Sequence, residues 1–358
     1  MRTSLPTLPP GPRPGPNGGR ATTRHRPGGG TVRRRWFVLG AAAAALLVLG
    51  GPLLVPIRPA PDTVPARELA GPDARFATLE GVEVHHQVTG PDDGDAVVLL
   101  HHFYGNVATW RHVLAGLGDA YRPIAFDRPA FGLTERPSLT RFDGPNPYTR
   151  SASARITVGL LDHLGVDDAV LVGSSAGGTI ALETYRTAPD RVRALVLLSP
   201  AITGDVGPPA NLRAVMRSPQ LRRLGPRLVR RFAGEIDRER ISGNWHDPSR
   251  ATAEDLEAYQ QPLRVQNWDV GYWELFAAED PPQLRDLLPR IEVPTLVVSG
   301  ASDRVISSAW NRRTADAIPG ARFVEIPACG HTPQEECPDE LLVVLRDFLG
   351  ELPTDRRG

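Results

Sequence analysis

Residues Ala169-Val-Leu-Val-Gly-Ser-Ser-Ala-Gly-Gly178 decide how this chain is read. An apolar run, Ala169 to Val172, meets the turn pattern Gly-x-Ser-x-Gly at Gly173 to Gly177, and a helix-like run begins at Gly178. A strand, a sharp turn and a helix in that order force Ser175 into a strained backbone conformation that lifts its hydroxyl out of the sheet. Glycine is required at 173 and 177 because a Cβ at either would collide with the neighbouring strand and helix. The bare pattern occurs by chance in many chains, so the strand before it and the helix after it give it meaning.

A serine hydroxyl is a weak nucleophile until a histidine takes its proton, and that histidine needs a carboxylate to fix its tautomer. Both partners lie downstream. Pro294-Thr-Leu-Val-Val-Ser-Gly300 reads as a buried strand and is followed by Ala-Ser-Asp303. Ala321 to Ile326 reads as another strand and is followed by Pro-Ala-Cys-Gly-His331. Catalytic groups in open parallel sheets collect beyond the C-terminal ends of strands. Ser175, Asp303 and His331 all fall there and form the candidate triad, with Asp205 as the local competitor for the acid.

With these residues in place, the chain resembles the α/β-hydrolase fold superfamily from about Phe76 to about Leu352, in the manner of capped, single-domain esterases and carbon–carbon bond hydrolases. Leu99-Leu-His-His-Phe-Tyr-Gly-Asn106 is similar to that family's H-G-x segment after strand 3, with His102 in place of the usual glycine. Asp127-Arg-Pro-Ala-Phe-Gly-Leu-Thr134 is similar to its D-x-x-G-x-G-x-S loop, with Ala130 replacing another glycine. The resemblance implies an α/β fold: a mostly parallel eight-stranded sheet with helices on both faces and a helical cap inserted after strand 6. It also implies an oxyanion hole from the backbone N–H groups of Phe103 and Ala176, such donors being worth about 3 kcal/mol each. No cofactor is implied.

Other readings compete for single residues. Ser175 could be an ordinary turn serine and Asp303 a solvated loop acid. Asp127 reads as structural, holding the loop beside the site. The pairs His85-His86 and His101-His102 suggest a metal at first sight, but adjacent histidines on a strand point to opposite faces. No ligand spacing accompanies them, so no metal site is expected.

The N-terminus is a different kind of sequence. Residues 1–35 are rich in proline, glycine and arginine, with 8 arginines and no acid; such a segment buries no core and is expected to be disordered. Residues 36–57, Trp36 to Ile57, carry no charge, and 22 residues at 1.5 Å each reach about 33 Å, enough to cross a hydrocarbon core. Arg33-Arg34-Arg35 precede this segment, which places that end in the cytoplasm and the globular part outside. A twin-arginine export signal, or cleavage after Val64-Pro65-Ala66, remains the alternative to an uncleaved anchor. Residues 58–72, rich in proline, read as a semi-rigid linker, residues 73–352 as the catalytic domain, and 353–358 as a tail.

Composition sets further bounds. The formal charge is zero, with 41 basic and 41 acidic residues. Without the 8 arginines of residues 1–35, 33 basic face 41 acidic groups, a balance of −8, which argues against nucleic acid as a partner. Only Cys329 and Cys337 are present. Outside the cytoplasm they could pair, but a helix expected to start between them favours two unpaired thiols.

The strand–helix rhythm breaks at about residues 203–288, where Leu212–Phe232, Ala253–Gln260 and Asp269–Ala278 have helical patterns. This is the expected cap. Trp245, Trp268 and Trp273 lie in it with Tyr259, Tyr272 and Phe276. Trp268, Trp273 and Tyr104 are the candidates for substrate contact. The activity expected is that of a membrane-anchored, extracytoplasmic serine hydrolase of small apolar carboxylic esters. A ring-cleavage carbon–carbon hydrolase, a cofactor-free haloperoxidase-like enzyme and a non-catalytic ligand-binding protein on the same fold are the rivals. The sequence leaves the oligomeric state open.

Overall fold

The computed structural model describes residues 11, 29–56, 59–202, 208–233, 241–278 and 284–353, so the competing acid Asp205 and the tail from 354 lie outside it. The chain divides into two units, Met1–Gly50 and Gly51–Gly358. The first holds most of helix α1 (Gly29–Leu54). Its stretch Arg33–Leu54 is 22 residues long, with mean hydropathy 2.2, and is long and apolar enough to cross a membrane. Trp36, Phe37, Leu46 and Leu47 all stand exposed.

The second unit is built on one eight-stranded sheet in the order β1-β2-β4-β3-β5-β6-β7-β8. The strands are β1 (Arg75–Leu79), β2 (Val82–Val88), β3 (Asp95–Leu100), β4 (Tyr121–Phe126), β5 (Ala169–Ser174), β6 (Val192–Leu198), β7 (Thr295–Gly300) and β8 (Arg322–Ile326). Only β2 runs antiparallel to its neighbours; β3 to β8 are parallel. The central strands are apolar over most of their length, with Val97 to Leu100, Ala169 to Val172 and Ala194 to Leu198 buried, because both faces are covered. Alternate residues serve the two faces. Val98, Leu100, Leu171, Leu195 and Val297 pack on one side, against helices α3 (Arg150–His163) and α4 (Ala176–Thr187). Val97, Leu99, Val170, Val196 and Val298 pack on the other, against α2 (Arg111–Leu117) and α10 (Pro338–Gly350).

Between β6 and β7 the chain leaves the sheet and forms the cap. Its helices are α5 (Ala210–Met216), α6 (Pro219–Ala233), α7 (Ala253–Gln260) and α8 (Trp268–Ala277); α9 (Ser308–Asp316) follows β7. The single helix expected over Leu212–Phe232 is two, broken at Arg217-Ser218 ahead of Pro219, since a residue before proline is driven out of the helical region. The stretch read as a linker lies along the cap: Val64 N–H donates to Arg264 O at 2.9 Å and Gln266 N–H to Val64 O at 2.9 Å.

The expectation of two unpaired thiols is overturned. Cys329 and Cys337 form a disulfide, with Cα atoms 6.1 Å apart. A single helical turn, Pro333–Glu336, does lie between them. The chain breaks at Cys337, and the long helix α10 starts only after it, so the loop folds back on itself.

Candidate active site

Ser175 follows β5 and precedes α4 with φ 49° and ψ −111°, a backbone region that costs a non-glycine residue energy. Its own backbone holds it there: its N–H donates to Leu198 O at 2.8 Å, and its carbonyl accepts from Gly178 N–H at 3.0 Å. A Cβ on Gly173 would stand 2.5 Å from Gly177 O, and one on Gly177 only 1.9 Å from Leu100 O. The glycines are therefore steric necessities of the turn.

Asp303 follows β7 and His331 follows β8, both buried. The structure brings these two together, with His331 Nδ1 2.9 Å from Asp303 Oδ2. The other carboxylate oxygen accepts from the N–H groups of Val305 at 2.8 Å and Ile306 at 2.9 Å. Burial by itself would raise the Asp303 pKa. The His331 hydrogen bond and charge, with Ile306 and Ser199, outweigh it and hold the carboxyl below its usual value. His331 in turn is fastened to the cap: its N–H donates to Asn244 O at 3.0 Å, and Trp245 Nε1 donates to Thr332 Oγ1 at 2.9 Å. No described hydrogen bond joins the Ser175 hydroxyl to His331; such bonds commonly tighten only when substrate is bound.

Phe103 and Ala176, one after β3 and the other heading α4, line the same cavity of about 190 Å³. Neither backbone N–H has a hydrogen-bond partner among the described residues, as the first N–H groups of a helix would predict for Ala176. A larger cavity of about 490 Å³, beside Pro65 and Asn267, touches none of the candidate site residues.

The three proposed substrate contacts lie elsewhere. Trp268 and Trp273 are buried in an aromatic cluster of the cap with Tyr272, and a Cβ on Gly225 would meet the Trp273 ring at about 2.0 Å. Tyr104 packs edge-on against Phe103, ring centres 4.3 Å apart. None of the three lines the 190 Å³ cavity; Leu275, Phe276, Ile180, Arg128, Arg150 and Arg213 do. An aromatic residue in a helical cap is filling space by default, and only its direction relative to Ser175 separates the roles.

A buried network beside the site had no signal in the sequence beyond the histidine at 102. Gln334 Nε2 lies 3.3 Å from His102 Nδ1, and His102 Nε2 lies 2.9 Å from Tyr259 Oη. Tyr259 donates to both Glu335 oxygens at 2.9 and 3.0 Å. His102 is pushed down to about 3 by burial, then by the charges of His331 and Arg128. Burial pushes Glu335 up to about 8, with Asp255 adding to it and Tyr259, Arg111 and Thr332 opposing. At neutral pH both are thus uncharged, and their 3.8 Å approach is no ion pair. The side chain that replaces glycine at 102 links three segments: the strand-3 loop, cap helix α7 and the histidine loop.

Asp127 is structural, as expected. It accepts from His85 Nδ1 at 2.7 Å, from Val107 N–H at 2.7 Å and from Leu133 N–H at 2.7 Å. Among the described residues, the one cluster with metal-ligand geometry is Cys329, Glu336 and Cys337, and its two sulfurs are taken by the disulfide.

A family profile described as alpha/beta hydrolase fold matches residues 95–338. A 2-hydroxymuconate semialdehyde hydrolase from Pseudomonas sp. (strain CF600) is 33% identical over 68% of this chain and 82% of its own. The uncharacterized hydrolase YugF of Bacillus subtilis (strain 168) is 26% identical over 79% of this chain and 99% of its own. Among solved structures, a thermophilic esterase from Thermogutta terrifontis is 27% identical with a TM-score of 0.64, covering 78% of this chain and 99% of that one.

Proposed function

This chain belongs to the alpha/beta hydrolase fold family, and from that premise we propose a serine hydrolase that cleaves small carboxylic esters through an acyl-enzyme. The observation that carries the reading is the buried Asp303–His331 pair on neighbouring strand ends of the sheet that presents Ser175. Ser175 attacks the ester carbonyl while His331 takes its proton; Asp303 holds the histidine's Nδ1 side. The N–H groups of Phe103 and Ala176 receive the oxyanion, His331 returns the proton to the leaving alcohol, and water releases the acid. The fold needs no cofactor for this sequence of steps.

A second reading, hydrolysis of a carbon–carbon bond in a ring-cleavage product, is favoured by the 33% identity to a 2-hydroxymuconate semialdehyde hydrolase. Both readings use the same three residues. Labelling with a fluorophosphonate, followed by turnover of p-nitrophenyl esters and of a vinylogous diketone, tests them. Ser175→Ala should lose labelling and turnover while keeping its fold; near-wild-type turnover in that variant would sink both.

We further propose that the domain lies outside the cytoplasm, with α1 as a single-pass anchor. The Arg33–Arg35 cluster before the apolar span supports this orientation. So does the Cys329–Cys337 disulfide, since such bonds persist in oxidising compartments.

A further inference from the structure

Cap helix α6 reads Pro219-Gln-Leu-Arg-Arg-Leu-Gly-Pro-Arg-Leu-Val-Arg-Arg-Phe-Ala233, with five arginines and no acid. Two of the five are neutralised on its inner side by acids of α8: Arg222 Nε lies 3.2 Å from Glu274 Oε1 and Arg230 Nε 2.7 Å from Asp269 Oδ2. Gly225 and Val229 are buried on that side. At about 100° per residue, Arg223, Arg227, Leu228 and Arg231 fall on the opposite arc; Arg227, Leu228 and Arg231 are exposed. Among the described residues no carboxylate pairs with Arg223, Arg227 or Arg231. Residues 234–240, with three acids and two arginines, follow α6 and lie outside the described residues.

Arg223 and Arg227 bond instead to main-chain carbonyls. Arg223 Nη1 donates to Val55 O at 3.2 Å and Arg227 Nη2 to Pro56 O at 3.2 Å. These are the first and second residues after the apolar span Arg33–Leu54. Two residues of chain reach at most about 7 Å, and the headgroup layer beyond the hydrocarbon core is about 5–7 Å deep. A guanidinium bonded to either carbonyl therefore stands in that layer or at its edge when α1 spans a bilayer. The chain after the span stays fastened to the cap: Ala60 is buried in a cluster with Met216 and Val229, and Val64 bridges to Val265.

We propose that the outer face of α6, with Arg223, Arg227 and Arg231 beside Leu228, seats on anionic phospholipid headgroups of the bilayer that α1 crosses and holds the cap against the membrane. The proposal rests on the reading of α1 as an anchor and is independent of the chemistry at Ser175. The three arginines follow one another at four-residue spacing, so that like charges repel along one helix face in water. A solvated face normally mixes both signs. A surface of phosphates reverses the balance, because each guanidinium fork can give a phosphate two parallel hydrogen bonds. Leu228 is 49% exposed and Leu54 85%, and an interfacial helix joins such apolar side chains to arginines whose stems lie along the lipid.

The test uses the full chain in lipid discs, spin-labelled at Leu228→Cys; the two native cysteines are joined in their disulfide and leave this thiol as the reactive one. Discs of phosphatidylcholine alone are compared with discs of an equal mixture of phosphatidylcholine and phosphatidylglycerol, one chain to a disc. Collisions of the label with a water-soluble nickel relaxant should fall at least threefold in the mixed discs. A label at Val343→Cys, exposed on α10, should keep its rate. Each arginine at an anionic surface favours the docked state by about fivefold, so replacing Arg223, Arg227 and Arg231 together by glutamine should return the rate to its phosphatidylcholine value. Arg231→Gln alone, which removes no described hydrogen bond, should give part of that return. About 1 M salt, which shortens the screening length to about 3 Å, should give most of it in the wild type. Equal collision rates at residue 228 in the two lipids overturn the proposal and leave the anchor standing. A chain recovered free of the discs overturns the anchor and the proposal together. A fall in pure phosphatidylcholine with two chains to a disc, but not with one, gives the face to a second copy of the chain and also overturns the proposal.

Discussion

At the scale of the residue, the strain at Ser175 (φ 49°, ψ −111°) is held by hydrogen bonds of its own main chain, so the hydroxyl can be removed without releasing the turn. Asp303 acts differently, because its carboxylate has to be an acceptor toward His331. Asp303→Asn should leave KM within a few-fold and cut kcat by about 10⁴, the cost of the wrong histidine tautomer; a loss below tenfold would point to a different acid. Glu335 makes a prediction about pH. Its folded-state pKa, about 8 against an ordinary 4.5, means that the native protein holds a proton that the unfolded chain gives up between those values. The stability linked to this group is therefore present at low pH and lost as pH rises toward about 8. Denaturant unfolding at pH 5 and pH 8 should show a larger fall for the wild type than for Glu335→Gln. Parallel falls in the two proteins would mean that Glu335 is already ionised in the fold.

At the scale of the element, the loop between β8 and α10 is the piece on which the candidate histidine depends. It is closed by Cys329–Cys337, eight residues apart in sequence. It is pinned again by Gly330 N–H donating to Glu336 Oε2 at 2.6 Å. Closing a loop of this length stabilises the fold by about 2.5 kcal/mol. Cys337→Ser should lower Tm by about 5–10 °C, given about 2–4 °C per kcal/mol for a domain of this size. Hydrogen exchange should locate the loosened amides between residues 328 and 337. Loosening confined to other segments would show that Glu336 and Trp245 hold the loop without the disulfide. Cap helix α7 is tied down in the same way, through Asn106 Nδ2 to Ala258 O at 2.6 Å and Arg111 to Asp255 at 2.5 Å.

At the scale of the whole molecule, the chain carries an apolar helix of membrane-spanning length and an alpha/beta hydrolase fold matched over residues 95–338. The full protein should fractionate with membranes and resist extraction by high salt. Protease added outside cells that lack a second barrier should reach the domain. A soluble form starting near Arg67 would show cleavage instead of anchoring, and a domain protected until the cells are lysed would reverse the orientation.

The elements that sequence determined are those set by local periodicity and local sterics. Strands β5, β7 and β8, the turn at Ser175 and the span after Arg35 were all legible, because apolar runs, glycine positions and charge gaps act within a few residues. Ser175, Asp303 and His331 could be picked out because chain order places each just past a strand end. What tertiary structure decided is which side chains face the same space. The periodicity that marks α8 as helical does not say that Trp268 and Trp273 turn into the cap while Phe276 turns toward the cavity. The meeting of Arg128, Arg150 and Arg213, residues up to 85 positions apart, depends on how the cap lies over the sheet. So does the link from His102 through Tyr259 to Glu335. Contacts between residues that far apart are chosen by packing, and one sequence read along its length has no local signal for them.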